Sequence, residues 1–214
     1  STPKLRRQRQ MCIRDRRYIL SYSLVTGPAF IIFTIGNFIG SQKAAAVIAI
    51  AHYVGALING FFYRNHEEKK EKRKGGGKPP KGDYLENFTD AIVSGFKAMA
   101  MILAYLMVFT IGINILEHLG VFSVINNQGV AASFKGIFEM TIGINLVGMC
   151  DMGIRLKSVI AAFLVSFGGL SVAGQSMSMA RGSGIGLADI LKIKLTHGMI
   201  AAIITTILIH IVVI

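Results

Sequence analysis

Polar and apolar positions along this chain fall in blocks. Five runs contain no Asp, Glu, Lys or Arg: Tyr18–Gln42, Ala44–Tyr63, Ala98–Leu116, Ser158–Ala180 and Leu195–Ile214. A helix that crosses a bilayer needs about 20 mainly apolar residues, because the hydrocarbon core is roughly 30 Å thick and a helix rises about 1.5 Å per residue. Each run reaches or approaches that length. In lipid only helices and closed barrels satisfy their own backbone, and none of the runs shows the two-residue alternation of a barrel strand. The pattern predicts an all-α, polytopic helical membrane protein.

Two runs carry interruptions. Thr26-Gly27-Pro28 lies inside the first and Phe167-Gly168-Gly169-Leu170-Ser171 inside the fourth. Proline removes a backbone donor and glycine loosens a helix, so both segments are expected to be broken or re-entrant. A re-entrant Ser158–Ala180 would keep Arg155, Lys157, Lys192 and Lys194 on one side of the membrane, as the preference for cytoplasmic Lys and Arg favours. Between the third and fourth runs, Asn126-Asn127-Gln128-Gly129 is a polar break near the outer face, and Gly136–Cys150 is expected to return inward. Tyr84, Phe88, Ile92 and Phe96 recur at four-residue spacing with Glu86 and Asp90 among them, an interfacial entry into the third span.

The segment Arg64–Asp83 is the one long polar linker. Its charge run, triple glycine and Pro79-Pro80 cannot bury a core. Its content of Lys and Arg places residues 64–83 in the cytoplasm and makes this a multi-pass protein of the cell (inner) membrane. A weak internal repeat accompanies this topology. A break at Gly27 precedes a helix with His52 25 residues later, and a break at Gly168 precedes one with His197 29 residues later. On this topology the two helices run in opposite directions, as in transporters built from inverted repeats of discontinuous helices.

Composition changes the picture at the N-terminus. The run Arg6-Arg7-Gln8-Arg9-Gln10-Met11-Cys12-Ile13-Arg14-Asp15-Arg16 is one reading frame of a common transposon-based sequencing adapter. Residues 1–16 are therefore expected to be foreign, with native sequence starting near Arg17 as a fragment. Much of the formal net charge of +12 resides there. The charge then gives no reason to expect a nucleic-acid partner. Cys12 leaves with it, and Cys150 alone makes neither a disulfide framework nor a thiolate metal site.

Candidate chemistry is sparse. Glu139 is the sharpest residue, since a charge inside an apolar segment costs about 2.5 kcal/mol or more unless it faces a cavity or partner. The plain structural alternatives are a place near a helix end or a pairing with Lys135, four residues earlier on the same face. Asn145, Ser171 and Gln175 offer hydrogen bonds to a polar solute, or glue between helices. His52 is placed mid-span, where it could relay protons or bind solute; His197, close to Lys194, reads as interfacial. Met99, Met101, Met107, Met177 and Met179 are apolar filling. The stretch Arg181–Gly186 lacks the ending of a phosphate loop, and no HExxH or Ser-His-Asp pattern appears. No enzyme, metal or cofactor is expected. The partners expected are the lipid bilayer and a small polar solute; oligomerisation stays open.

Three stretches carry a family resemblance: Gly136-Ile137-Phe138-Glu139-Met140-Thr141-Ile142-Gly143; Ser166-Phe167-Gly168-Gly169-Leu170-Ser171-Val172 with Gln175; and Lys194-Leu195-Thr196-His197-Gly198. With Gly27-Pro28-Ala29-Phe30-Ile31-Ile32 and Ala51-His52-Tyr53, they resemble the YlbJ-type sporulation integral membrane proteins of the Gate (nucleoside-recognition) superfamily. The resemblance covers nearly all of Tyr18–Ile214. It implies the end of a first Gate-like repeat over residues 17–63 and a second over 84–214. It also implies a membrane protein of spore formation that transports or recognises a small, nucleoside-like solute. The other reading is a membrane scaffold of the same machinery. No binding residue follows from the resemblance itself.

Overall fold

The computed structural model describes residues 15–64 and 84–212; the expectations for residues 1–14 and for nearly all of the 64–83 linker lie outside them. All regular elements among the described residues are helices. Helix α1 covers residues 15–23 and α2 residues 28–39, the latter built from a π-helical stretch Phe30–Ile35 and an α-helical turn Gly36–Ile39. Then follow α3 (Gln42–Tyr63), α4 (Tyr84–His118), α5 (Gln128–Phe138), α6 (Met140–Met149), α7 (Ile154–Phe167), α8 (Gly169–Met179) and α9 (Leu187–Val212). By length and composition, Gln42–Tyr63, Tyr84–His118, Ile154–Met179 and Leu187–Val212 are each able to cross a membrane.

The contacts fix which end of the bundle each helix starts from. Arg17 pairs with Asp189 at 2.8 Å, and Asn59 donates to the carbonyls of Ser21 and Ile193. The starts of α1 and α9 and the end of α3 therefore lie together. At the opposite end α2 and α6 finish side by side, the Phe38 carbonyl lying against Gly148, and Lys157 at the start of α7 donates to the Gly148 carbonyl at 2.7 Å. Helices α3 and α9 run antiparallel: Asn59 meets Ile193 and Thr196, Gly55 meets Ala201, and Ile209 shares a core with Ala44, Val47 and Ile48.

Helices α5 and α6 form an antiparallel hairpin. Gly136 packs on Gly143, Ala132 on Val147, and Gly129 faces Met152. Neither arm is long enough to cross, at 11 and 10 residues. The expected inward return of Gly136–Cys150 is thus corrected: 128–149 enters and leaves at one end. The reason is the turn at Glu139, whose extended backbone (φ −141°, ψ 115°) reverses the chain. Of the two alternatives for Ser158–Ala180, the structure takes the first. It is broken but not re-entrant, because α7 starts beside the hairpin's open end while Ser178 of α8 hydrogen-bonds Tyr105 in the middle of α4. Arg155 and Lys157 consequently sit at the opposite end from Lys192.

The main core joins α2, α3, α6, α7 and α9 through Ile31, Ile35, Val47, Ile48, Ile144, Leu164, Val165 and Ile209. Outward positions are apolar as well, including Phe33, Leu57, Phe61, Phe62, Ile203 and Ile207. That is the surface a lipid solvent requires. Helix α4 is the extreme case: of its 35 residues only Ile113 is buried. Its Met99, Met101 and Met107 are exposed with Met179 of α8 and fill no core among the described residues, whereas Met177 packs as expected against Ala173, Ile185 and Ile190.

Candidate functional site

Interrupted helices expose backbone groups that lipid cannot satisfy, so side chains must do so. At the first interruption, residues 24–27, the Thr26 N–H donates to His52 Nε2 at 2.9 Å and the Thr26 carbonyl accepts from the Tyr53 hydroxyl at 2.7 Å. The Leu24 carbonyl accepts from Lys194 Nζ at 3.1 Å. Pro28 begins α2, where its missing N–H costs nothing. Gly27 has open space around it.

His52 joins the two interruptions. It lies at the middle of α3 and is fully buried. Its Nδ1 meets Ser166 Oγ at 2.8 Å, two residues before the second break. Because Nε2 faces the Thr26 N–H donor, this partner set fits a neutral ring with its proton on Nδ1, donated to Ser166. His197 Nε2 donates to the His52 carbonyl at 2.8 Å, and the two rings lie 4.8 Å apart. His197 is therefore not interfacial. Neither is Lys194, which is 2% exposed. Three residues apart, both point from one face of α9 into the bundle, a spacing visible in the sequence that the nearby Lys192 obscured.

At the second interruption Gly168 and Gly169 both adopt left-handed backbone, φ 81° and 72°. Only glycine does this without strain. A methyl on Gly168 would lie 3.1 Å from Lys194 Cε; one on Gly169 would lie 3.1 Å from the Phe138 carbonyl and 3.2 Å from the Gly136 carbonyl and Met140 nitrogen. The second break thus lies between Lys194 on one side and the tip of the α5–α6 hairpin on the other.

Glu139 occupies that tip. It is 3% exposed, and its carboxylate accepts from the Ile142 N–H at 2.8 Å as the N-cap of α6. Of the two structural alternatives, the place at a helix end is the one observed, while the ion pair with Lys135 is corrected: Lys135 pairs with Glu117 at the end of α4 and lies over the Phe122 ring. The turn at Glu139 takes the next helix off the face that a continuous helix would have shared with Lys135. No ion pair joins Glu139 to Lys194 either, so the break separates a buried acidic side chain from a buried basic one.

Ser171 is buried one half-turn into α8, while Gln175 on α8 and Asn145 on α6 are half-buried. Asn59, a residue the sequence did not single out, is fully buried; it donates to Ser21 and Ile193 and accepts from Thr196. The structure thus brings Gly168, Gly169 and Glu139 together, and links Thr26, His52, Ser166, His197 and Lys194. Two cavities lie elsewhere. One, of about 310 Å³, is lined by Glu117, Phe122, Gln128, Lys135 and Cys150 at the hairpin's open end. The other, of about 400 Å³, is an apolar gap between α4 and Phe138. No cluster of three or more His, Cys, Asp or Glu able to hold a metal occurs among the described residues.

Fold and site define a class: an all-α, polytopic membrane protein whose described residues include two interrupted spans and a helical hairpin, the first interruption tied down by buried polar side chains. Among known proteins, the chain is similar to the sporulation integral membrane protein YlbJ of Bacillus subtilis (strain 168), 23% identical over 235 aligned residues. The alignment covers 94% of this chain and 58% of the relative, so the chain spans well under two thirds of its length. The similarity is distant but extends through nearly every element. No family model and no solved structure matches.

Proposed function

We propose that this chain is part of a cell-membrane protein of spore formation that recognises, and moves, a small polar, nucleoside-like solute where its interrupted helices converge. The observation that carries the reading is the meeting of the Gly168-Gly169 break with the Glu139 hairpin tip, next to a second break tied down by His52 and Lys194. A membrane chain that only needed to pack would place continuous apolar helices there, since charges at mid-span cost free energy. The antiparallel course of α3 and α9, each following a broken span, supports the inverted-repeat reading and with it the Gate superfamily. The distant similarity to YlbJ supports the spore-forming context. The remaining parts of the reading are a cytoplasmic 64–83 linker, no enzymatic reaction and no nucleic-acid partner.

The test is thermal stability of the purified protein in detergent against nucleosides and other small polar solutes, with Glu139→Gln alongside. A ligand at a hundredfold excess over its dissociation constant stabilises the folded state by about 2.7 kcal/mol. Gln keeps an oxygen for the Ile142 N–H, so the variant should fold. A shift seen in the wild type and lost in the variant is the expected result. No shift with any solute in a well-folded sample would reject the solute site and leave a membrane scaffold.

A further inference from the structure

We propose that the cavity at the open end of the α5–α6 hairpin binds a zwitterionic small molecule, an α-amino carboxylate with an apolar side chain. The cavity encloses about 310 Å³ and is walled by the last turn of α4, the turn that follows it and both arms of the hairpin. Glu117 and Lys135 both line it and pair with each other, and Lys135 Nζ lies 5.0 Å from the centre of the Phe122 ring. Among the described residues that line the cavity, these two are the only charged ones. One acid and one base therefore face the same small space.

The pair selects between ligand classes. The Lys135 side chain is 14% exposed and that of Glu117 is 54% exposed, so the base is sheltered and the acid can swing toward water. A plain anion on Lys135 would stand against the Glu117 carboxylate. A plain cation on Glu117 would strip the sheltered ammonium of its partner, which is costly. A zwitterion meets both: its carboxylate takes Lys135, its ammonium takes Glu117, and one ion pair is exchanged for two. The exchange is easy, because a pair with an exposed partner contributes little to stability. Glu117 also sits in the last turn of α4, where the helix dipole favours a cation beside it. Lys135 lies about 10 Å along α5 from Gln128, so the charged pair occupies the inner end of the cavity. Phe122, Ile125, Leu146 and Met149 supply apolar walls for the ligand's side chain, the usual complement to a few convergent polar groups. Glu139 does not line this cavity, so the site stands whether or not a solute binds at the hairpin tip.

Equilibrium dialysis of the purified protein in detergent against radiolabelled leucine, methionine and phenylalanine tests it. At least one of the three should bind saturably. Its methyl ester, which lacks the carboxylate charge, and its deaminated acid, which lacks the ammonium, should compete about tenfold less well, since each forfeits a hydrogen bond between charged groups. Glu117→Gln and Lys135→Met should weaken binding by about the same factor. Glu86→Gln, an exposed carboxylate at the far end of α4, should leave it unchanged. The Glu117 side chain is more than half exposed, so Glu117→Gln keeps the test decisive even where Lys135→Met fails to fold. No saturable binding of any of the three amino acids up to millimolar concentration overturns the proposal. Binding that the singly charged analogues match, or that survives Glu117→Gln undiminished, overturns it as well.

Discussion

Replacing Gly169 by alanine tests whether the second break is a structural necessity. Two costs combine. The residue sits at φ 72°, where an L side chain costs about 1–2 kcal/mol. The added methyl would also lie 3.1–3.2 Å from the Phe138 and Gly136 carbonyls and the Met140 nitrogen. These are backbone atoms of the hairpin tip and cannot rotate aside, so overpacking adds about 1–3 kcal/mol. The sum is about 2–5 kcal/mol. For a domain of this size each kcal/mol moves the melting temperature by about 2–4 °C, so Gly169→Ala should melt at least about 4 °C below wild type. Gly27→Ala is the matched control. Nothing lies within 4 Å of the methyl and the residue is not left-handed, so its melting temperature should stay within about 2 °C of wild type. Thermal unfolding in detergent, followed by fluorescence-detected size exclusion, reads both. A Gly169→Ala protein as stable as wild type, or a Gly27→Ala protein equally weakened, would show that the second break does not depend on a left-handed glycine packed against the hairpin tip.

Asn59→Leu should cost about 1–3 kcal/mol, because it strips a donor from two buried carbonyls that lipid cannot serve; the same melting assay reads it. Glu139→Ala should lower stability by about 0.5–2 kcal/mol through loss of the α6 N-cap, while Glu139→Gln recovers most of that in the same denaturation series. Glu117→Gln should cost under about 1 kcal/mol and be masked by high salt, since the Glu117 side chain of the Lys135 pair is 54% exposed; melting at low and high ionic strength separates the two.

The membrane class and the two breaks were legible because they rest on local signals. Charge-free runs of helix length and Gly or Pro inside an apolar run are read without knowing any contact. The hairpin was not legible, for a physical reason. Gly136–Cys150 has the composition of a spanning half, and nothing local marks Glu139 as extended. The reversal depends on Gly136 and Gly143 letting two backbones touch, which is a tertiary fact. Lys194 was misread for a related reason. A lysine two residues from Lys192 looks like the end of a helix, and only the packing of α9 on α3 shows that one points out while the other reaches the Leu24 carbonyl. Asn145, Ser171 and Gln175 were drawn from polarity alone, which cannot distinguish a residue facing a break from one facing a neighbour.

Backbone accounting explains why polar residues cluster where they do. A broken span leaves carbonyls and N–H groups at a depth where no water competes for them, each costing several kcal/mol if unmet. In the first break those groups are met from outside the segment: Thr26 by His52 and Tyr53 of α3, Leu24 by Lys194 of α9. The second break needs less help, since the Gly168 N–H still reaches the Leu164 carbonyl at 2.7 Å and its glycines turn without strain. The two are therefore not equivalent in stability. The first is held by side-chain hydrogen bonds reaching in from α3 and α9, the second by its own backbone geometry. Any motion between the two halves should begin at residues 24–27, with α7 and the hairpin tip as the fixed side.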